Sequence, residues 1–215
     1  MATTATLDLS AYNKVTLSAW VRQRTDQNSV IHELGTDYSA ANNAFQCSYA
    51  QTVGQIQAGM YEGGNASLWR SEPIQLNQWI HVGIPYDRTL SGAEAAKVYL
   101  DGLLSGSNVD SSATFTGNFA NATMYFGARA GTSAFATFDM VDLRIFSGAG
   151  DANDMMSIKT YGWAPGLTLL NNWLLQASII SNPQTINPHV GAATLTATSV
   201  TNAITGCPIR ARTQS

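Results

Sequence analysis

The sequence predicts an all-β protein, a sandwich of two antiparallel sheets that carries one short helix. Strand-like runs of alternating apolar and polar residues recur at short spacing, with turn residues between them. Charged residues make up only 12% of the 215 residues, a low share that suits a β-rich fold. Residues 151–158 carry acidic side chains at their start, where these favour the helix dipole, and the pattern predicts one or two helical turns.

The clearest strand–turn–strand pattern occupies residues 75–102. Its first run, residues 79–84, alternates apolar residues with polar or small ones, as a strand with one buried face does. A second alternating run, residues 96–100, ends at Asp101-Gly102, and both of these residue types accept the positive φ angles of a tight turn. This order predicts a β-hairpin.

Further strands are predicted from the same alternation. In residues 15–21 the odd-numbered residues are apolar, so we expect them to face the core. In residues 141–146 the same rule predicts that Val141, Leu143 and Ile145 face the core. Other predicted strands lie at residues 53–61, which Gly63-Gly64 closes, and at residues 124–127.

Charge and hydropathy argue against nucleic acid and membrane partners. The net charge is −3 and the 11 basic residues are scattered, so the basic footprint of a nucleic-acid-binding protein is missing. No apolar run approaches the roughly 18 residues of a membrane-spanning helix. The amino-terminal residues have neither the basic segment nor the apolar core of a signal peptide. We therefore expect synthesis in a cytoplasm without secretion.

The ionisable residues do not form a recognisable catalytic motif. Glycoside hydrolysis requires two carboxyl groups about 5–10 Å apart. Asp139 and Asp142 are close in sequence, but a spacing of three residues predicts that they face opposite sides of a strand. His81 lies within a predicted strand, and His32 and His189 have no ligand partner at a metal-binding spacing. The sequence predicts a protein without enzymatic activity.

The two cysteines predict neither a disulfide framework nor a metal site. Cys47 and Cys207 are far apart in sequence and match no metal-binding spacing. Cys47 alternates with Phe45 and Tyr49 in a predicted strand, which favours a buried structural thiol.

Several short motifs follow one another in a specific order along residues 1–162. They are residues 14–22 (KVTLSAWVR), 79–82 (WIHV), 98–102 (VYLDG), 125–129 (YFGAR) and 140–146 (MVDLRIF). In this order they resemble the signature of laminin G-like domains, which belong to the concanavalin A-like jelly-roll superfamily, and in particular of those found in tailed-phage virion proteins. The resemblance implies a two-sheet antiparallel jelly roll.

Residues 163–215 form a second predicted unit. Residues 170–175 (LNNWLL) and 193–198 (ATLTAT) resemble the segments that normally open a laminin G-like domain, yet here they come last. One interpretation is that they are permuted strands that complete the sandwich, because Trp173, Leu174 and Leu175 need burial. The other interpretation is an arm that reaches a neighbouring subunit.

Two kinds of binding site are considered. A lectin-like site needs an exposed aromatic residue beside polar groups, and Trp69 with Tyr61 and Asn65 is the candidate. The competing interpretation of Trp69 is an aromatic residue that folds over the edge of the sandwich. No cofactor is predicted, but the family resemblance leaves calcium open, with Asp37, Asp151 and Asp154 as weak candidate ligands; capping of the predicted helix explains the last two more simply.

The resemblance and the composition together predict a virion protein of a tailed phage. We expect a capsid decoration protein or a tail accessory protein, non-enzymatic and homo-oligomeric, whose partners are other virion proteins. A surface poor in charge suits such contacts, because few charges must be desolvated there. The alternative is a carbohydrate-binding module that attaches the particle to host-surface glycans.

Overall fold

A computed structural model of the chain describes residues 2–35, 43–173, 184–186, 190–191 and 195–198. The helical elements are α1 (Ala152–Tyr161) and two 3-10 turns, Gln51–Val53 and Gly92–Glu94. The strands are β1 (Ala2–Asp8), β2 (Lys14–Gln23), β3 (Ser29–Leu34), β4 (Ala44–Ala50), β5 (Gln55–Glu62), β6 (Asn65–Pro73), β7 (Ile80–Asp87), β8 (Tyr99–Leu100), β9 (Leu103–Leu104), β10 (Ser107–Ser111), β11 (Asn121–Phe126), β12 (Phe138–Ser147), β13 (Thr168–Trp173), β14 (Gln184–Ile186) and β15 (Leu195–Thr198).

The described strands form two antiparallel sheets. One sheet has nine strands in the order β10-β6-β5-β4-β3-β11-β1-β15-β14, and the other has six in the order β13-β12-β2-β7-β8-β9. The predicted fold class, a two-sheet antiparallel sandwich with one short α-helix, is confirmed for the part of the chain that the structure describes. No helix within these ranges is long and apolar enough to cross a membrane.

The core lies between the two sheets and follows the predicted alternation. The odd-numbered residues of β2 from position 15 to 21 all belong to the core cluster, and Val82 and Ile84 of β7 join them. Ile80 is half-buried and packs against the same cluster. Burying one such aliphatic side chain contributes about 1.5–3 kcal/mol, so this interface is the main source of stability.

Strand β12 departs from simple alternation at one residue. Its pairing with β2 shifts register between Val141 and Arg144, and Asp142 has a φ of 53°. The bulge places Met140, Leu143 and Ile145 in the core cluster. Val141 is fully buried but lies outside that cluster, so the prediction that it faces the core is wrong. One extra residue in a strand reverses the facing of the residues before it relative to those after it.

The hairpin predicted at residues 75–102 is present with a shorter second strand. Tyr99 and Leu100 of β8 pair with β7, and Asp101 and Gly102 form the turn to β9 with φ angles of 53° and 86°. The predicted strand at residues 96–100 is reduced to β8, since the preceding residues contribute only an isolated bridge between Tyr86 and Ala96.

Helix α1 packs on the outer face of the six-stranded sheet, which is the face turned away from the core. Met155 and Ile158 of the helix form a second apolar cluster with Tyr99 and Phe146 of the sheet. A Cβ atom at Gly83 would lie 2.5 Å from the sulfur of Met155, so glycine allows the helix to approach the strand closely. The helix extends beyond the predicted residues 151–158 and ends at Tyr161.

Residues beyond position 162 contribute strands to both sheets. Strand β13 pairs with β12 in the six-stranded sheet, and β15 lies between β1 and β14 in the nine-stranded sheet. Trp173 is fully buried in the core. Leu174, Leu175 and residues 199–215 lie outside the described residues, and the division into residues 1–162 and 163–215 stays a prediction.

Candidate functional site

The three residues predicted to bind carbohydrate do not share one exposed surface. Trp69 lies in strand β6 rather than in a loop, and only 8% of it is exposed. It belongs to the core cluster, and its indole Nε1 donates to the carbonyl of Ser105 at 2.7 Å. Tyr61 is equally buried but lies outside the core cluster, and Asn65 is exposed beside the turn that joins β5 to β6. The premise of an exposed Trp69 is therefore wrong, because the strand's alternation directs it into the core.

Two of the candidate calcium ligands act as helix caps. The Asp151 carboxylate accepts from the backbone N–H groups of Asn153 and Asp154 at 2.8 and 3.0 Å. The Asp154 carboxylate accepts from the N–H of Asp151 at 3.2 Å, which completes a capping box. Asp37, the third candidate, lies outside the described residues. Within the described ranges, no three His, Cys, Asp or Glu side chains are grouped as a metal site would require.

The bulge in β12 brings Asp139 and Asp142 to the same face of the sheet, in contrast to the predicted opposite faces. Asp139 forms ion pairs with Arg22 and Arg24 at 2.7 and 2.6 Å. Asp142 binds Arg144 through two hydrogen bonds of 2.7 and 2.8 Å. Arg144 also donates to the carbonyl of Gly162 at the end of α1. Both carboxylates are therefore held by arginine side chains and join elements of the sandwich.

The two described histidines are interior side chains. His32 Nε2 lies 2.9 Å from the hydroxyl of Tyr86, and His81 packs edge-on against Trp20 with ring centroids 5.5 Å apart. Burial lowers the pKa of each histidine to about 3, because desolvation disfavours the charged imidazole. Both rings are neutral at pH 7, and general acid–base catalysis at that pH favours a pKa near 7. His189 lies outside the described residues.

One small cavity lies between the two sheets in the described part of the chain. The cavity, lined by Leu17, Ile31 and Val82, among others, holds about 10 Å³, roughly the space of one water molecule. Cys47 is a buried free thiol, as predicted, and burial raises its pKa. Cys207 lies outside the described residues. These features belong to a packed core.

One side of the sandwich carries exposed aliphatic side chains. Strand β9 is the edge of the six-stranded sheet, and β10, which follows it directly, is the edge of the nine-stranded sheet. Leu103, Leu104 and Val109 on these edges are 63%, 51% and 48% exposed. Met156 of α1 is 39% exposed and lies against Gly102, next to Leu103. We call Leu103, Leu104, Val109 and Met156 the apolar edge.

A second exposed feature lies at the end of α1. Tyr161 and Trp163 are 62% and 56% exposed and are separated only by Gly162, whose φ is 82°. We call Tyr161 and Trp163 the aromatic pair. Sequence reasoning missed both residues. The available signal was a glycine between two aromatic residues just after a predicted helix, where a helix end turns side chains toward solvent.

The two surfaces lie on opposite flanks of α1. Helical residues turn by about 100° each, so Met156 and Lys159 lie on one side of the buried stripe and Tyr161 on the other. Lys159 forms an ion pair with Asp101 at 3.2 Å. This ion pair places the side of α1 that carries Lys159 beside the β8–β9 turn. The hydroxyl of Ser157 donates to the carbonyl of Trp163 at 2.8 Å, which holds the aromatic pair on the opposite flank.

Comparisons with solved structures support the fold. A native heptameric SAP-like pentraxin from Limulus polyphemus matches with a TM-score of 0.60 and 13% identity, over 92% of this chain and 89% of that chain. A putative carbohydrate binding protein from Bacteroides ovatus matches with a TM-score of 0.60 and 18% identity, over 90% of this chain and 55% of that chain. The receptor binding domain of botulinum neurotoxin type G matches with a TM-score of 0.51 and 15% identity, over 70% of this chain and 38% of that chain.

At such identities these likenesses show the fold alone, and this chain spans only about half of the Bacteroides protein. The comparison with curated proteins gives no match. A laminin G-like family model, described as the concanavalin A-like lectin/glucanases superfamily, matches residues 1–154. Because this match covers most of the chain and the structure is a two-sheet antiparallel sandwich, the chain belongs to the concanavalin A-like lectin/glucanases superfamily.

Proposed function

We propose that the chain is a non-enzymatic structural protein of a tailed-phage virion, a capsid decoration protein or a tail accessory protein. The observation that carries the proposal is the apolar edge. Leu103, Leu104 and Val109 expose aliphatic side chains where both sheets end. A contiguous exposed apolar patch marks a protein–protein contact site, and we propose that these side chains form one. The occupant we assign to it is a neighbouring protein subunit of the particle.

The strands that carry the apolar edge favour a contact made by side chains over one in which another chain adds a strand to the sheet. Strand β9 has only two residues, and β10 shifts register between Asn108 and Asp110, around Val109. Short strands and bulges protect sheet edges against uncontrolled pairing with other chains. A subunit that covers the apolar edge would gain its stability from burying aliphatic surface, about 25 cal/mol for each Å² removed from water.

The absence of enzymatic activity belongs to the same proposal. Asp139 and Asp142, the carboxylates with the spacing closest to a hydrolase pair, are each bound by arginine. His32 and His81 are buried, and burial lowers the pKa of both. The proposal also includes a homo-oligomeric state, no bound calcium, and location in the virion.

The test begins with purified particles from the source of the chain. Mass spectrometry of the particles should detect the chain, and immunogold electron microscopy should locate it on the head or the tail. Particles stripped of the chain should then rebind the purified protein. We expect Leu103→Ser and Val109→Ser to weaken this rebinding at least about tenfold, because each removes buried aliphatic area.

Val53→Ser is the matched control, since Val53 is 38% exposed and lies in the 3-10 turn between β4 and β5, outside the apolar edge. It should rebind as the unaltered protein does. The proposal is overturned if particles lack the chain, or if the purified protein is monomeric and does not bind them. Equal rebinding by the Val109→Ser and Val53→Ser proteins would show that the apolar edge does not take part in the contact.

The carbohydrate-binding alternative no longer has support from Trp69, because that side chain lies in the core. A different observation favours it, namely the aromatic pair, which lies apart from the apolar edge.

A further inference from the structure

We propose that helix α1 is a pH-sensitive element, which acid releases from the six-stranded sheet while the sandwich stays folded, with His81 as the group that responds. The inference uses only contacts within the chain, so its test does not depend on the virion proposal. Its first support is the small interface of the helix. Two of the ten residues of α1, Met155 and Ile158, are buried, and they belong to an apolar cluster separate from the core between the sheets. Release of α1 therefore leaves that core intact.

His81 lies under the last turn of α1, between the two contacts that hold this turn to the sheet. At the β8–β9 turn, Lys159 Nζ lies 3.2 Å from the carboxylate and 3.2 Å from the carbonyl of Asp101. On β12, Arg144 donates to the carbonyl of Gly162. The sheet order β12-β2-β7-β8 places β2 and β7 between these contacts, and His81 belongs to β7. The last turn therefore covers His81, which is 2% exposed.

The surface under this turn contains polar atoms that the docked helix leaves without hydrogen bonds. His81 is two positions before Gly83, which contacts Met155, so both lie on the face that α1 covers. Ser18 of β2 is paired with Gly83 and lies on the same face. The Ser18 hydroxyl and Nδ1 of His81 are buried, and neither has a hydrogen-bond partner in the described part of the chain. Release of the turn returns water to both atoms, which favours the open form.

The groups around His81 oppose a further positive charge while α1 is docked. The titratable and charged groups on the elements packed around the ring are Lys159 of α1, Asp101 of the β8–β9 turn, Arg144 and Asp142 of β12, and Tyr99 of β8. Burial is the main cause that lowers the pKa of His81 to about 3, and the positive charges of Lys159 and Arg144 lower it further. A protonated His81 would be a third cation under the same turn.

Acid therefore favours the open form of α1. When the last turn lifts, water reaches His81 and its pKa returns toward the ordinary value of 6.5. Below pH 6.5 the open form binds a proton that the docked form does not bind until about pH 3, so docking is fully favoured above pH 6.5 and weakens as pH falls. Between pH 7.5 and pH 5.0 the equilibrium constant for opening should rise about 30-fold.

Hydrogen–deuterium exchange of the full chain at pH 7.5 and pH 5.0 measures the opening. Exchange is read by mass spectrometry and corrected for the pH dependence of the intrinsic exchange rate. We expect the protection of the α1 amides to fall about 30-fold over this interval, while the amides of β2 stay better protected than those of α1 at both pH values. His81→Gln should abolish the fall in α1, because glutamine does not bind a proton.

His32→Gln is the matched control, since His32 is also buried but lies between the sheets, with its Nε2 2.9 Å from the Tyr86 hydroxyl. It should leave the fall in α1 unchanged. Equal loss of protection in α1 and β2 of the unaltered protein overturns the proposal without any variant, because the sandwich then opens as one unit. A fall in α1 that persists in His81→Gln, or that His32→Gln also removes, overturns it as well.

Discussion

At the scale of single residues, Arg88 shows how the sandwich handles a buried charge. Its side chain is fully buried and forms an ion pair with Glu62 at 2.8 Å. The same guanidinium donates to the Asn43 side chain and to the carbonyls of Thr116 and Gly117. It therefore joins the end of β7 to the end of β5 and to the segment before β11. A buried cation is tolerated only with such a set of partners.

We predict that Arg88→Met lowers the free energy of unfolding by about 3 kcal/mol, because it removes the ion-pair partner of the Glu62 carboxylate and the side-chain donor to the carbonyls of Thr116 and Gly117. Urea unfolding followed by tryptophan fluorescence measures this. Lys14→Met is the control, since Lys14 is 41% exposed and pairs with Asp87 at 2.9 Å. A surface pair of this kind contributes about 0–1 kcal/mol. Equal destabilisation by the two substitutions would contradict the prediction.

The buried histidines predict how stability depends on pH. Burial lowers the pKa of His32 and of His81 to about 3, against 6.5 for the free side chain. Below pH 6.5 the unfolded chain binds protons at these positions that the folded chain does not bind. Folding is therefore favoured fully above pH 6.5, and this contribution is lost as pH falls toward about 3.

We expect each of the two histidines to reduce the free energy of unfolding by up to about 1.4 kcal/mol per pH unit below pH 6.5. Urea unfolding at pH 7.5, 5.5 and 4.5 measures the slope. The His81→Gln protein should show a shallower slope over this interval, because one of the two buried histidines is gone. An unchanged slope would show that His81 is hydrated in the folded chain.

At the scale of elements, Gly162 determines how α1 ends. It occupies the left-handed C-cap position with a φ of 82°, and its N–H donates to the Ile158 carbonyl. An L-residue in this conformation brings its Cβ close to the backbone, whereas glycine has no Cβ. The same glycine sets the direction in which the chain leaves the helix, and so it positions Trp163.

We predict that Gly162→Ala destabilises the protein by at least about 1–2 kcal/mol, because a Cβ atom is unfavourable in the left-handed conformation and would also collide with the guanidinium of Arg144. Gly166→Ala, in the same loop, should be neutral or slightly stabilising, because the nearest atoms to its new methyl group are carboxylate oxygens of Asp154 at 3.7 and 3.9 Å. Thermal unfolding of the two proteins provides the comparison. Similar midpoints would mean that the left-handed conformation is not required.

Several elements could be predicted from alternation and turn residues alone. The core faces of β2 and β7 follow directly from their period of two, and the turn at Asp101-Gly102 follows from the residue types. The facing of Val141 could not be predicted, because it depends on the extra residue at Asp142. The bulge in β12 is determined by the pairing with β2, and the identity of Asp142 alone does not predict it.

The candidate site was harder to predict than the fold, for a related reason. Trp69 follows a Gly-Gly-Asn turn in sequence, which suggests a loop, but cross-strand pairing with Ala58 extends β6 through it. The exposure of Trp163 depends on where α1 ends, and the sequence pattern predicted an end near Ile158. Three further residues of helix bring Gly162 to the C-cap. Surface features that depend on the exact end of an element are not encoded by residue type alone.

At the scale of the whole molecule, the final strands are part of the sandwich that the first strands form. Strand β13 pairs with β12, and the side chain of Trp173 is fully buried beside Phe126, with ring centroids 6.1 Å apart. These contacts support the proposal that residues 163–215 complete the sandwich as permuted strands rather than reach a neighbouring subunit.

We predict that Trp173→Ala destabilises the isolated protein by about 3–5 kcal/mol, because it leaves a large cavity in the core. Trp163→Ala is the matched control, since it removes the same side chain from an exposed position in the same segment. Its unfolding midpoint in urea should stay close to that of the unaltered protein. If Trp173→Ala is also harmless, the segment does not pack on its own sandwich.

The position of β1 sets the order in which the protein can be assembled during synthesis. Thr4 pairs with Tyr125 on one side and with Thr196 on the other, so β1 can complete its pairing only after residues 125 and 196 have been synthesised. The edge that pairs with β15 stays open longer than the edge that pairs with β11, and pairing between distant segments is slow. A nascent chain of this topology is exposed to misassociation until β15 has been synthesised, and dilute or chaperone-assisted synthesis should raise its yield.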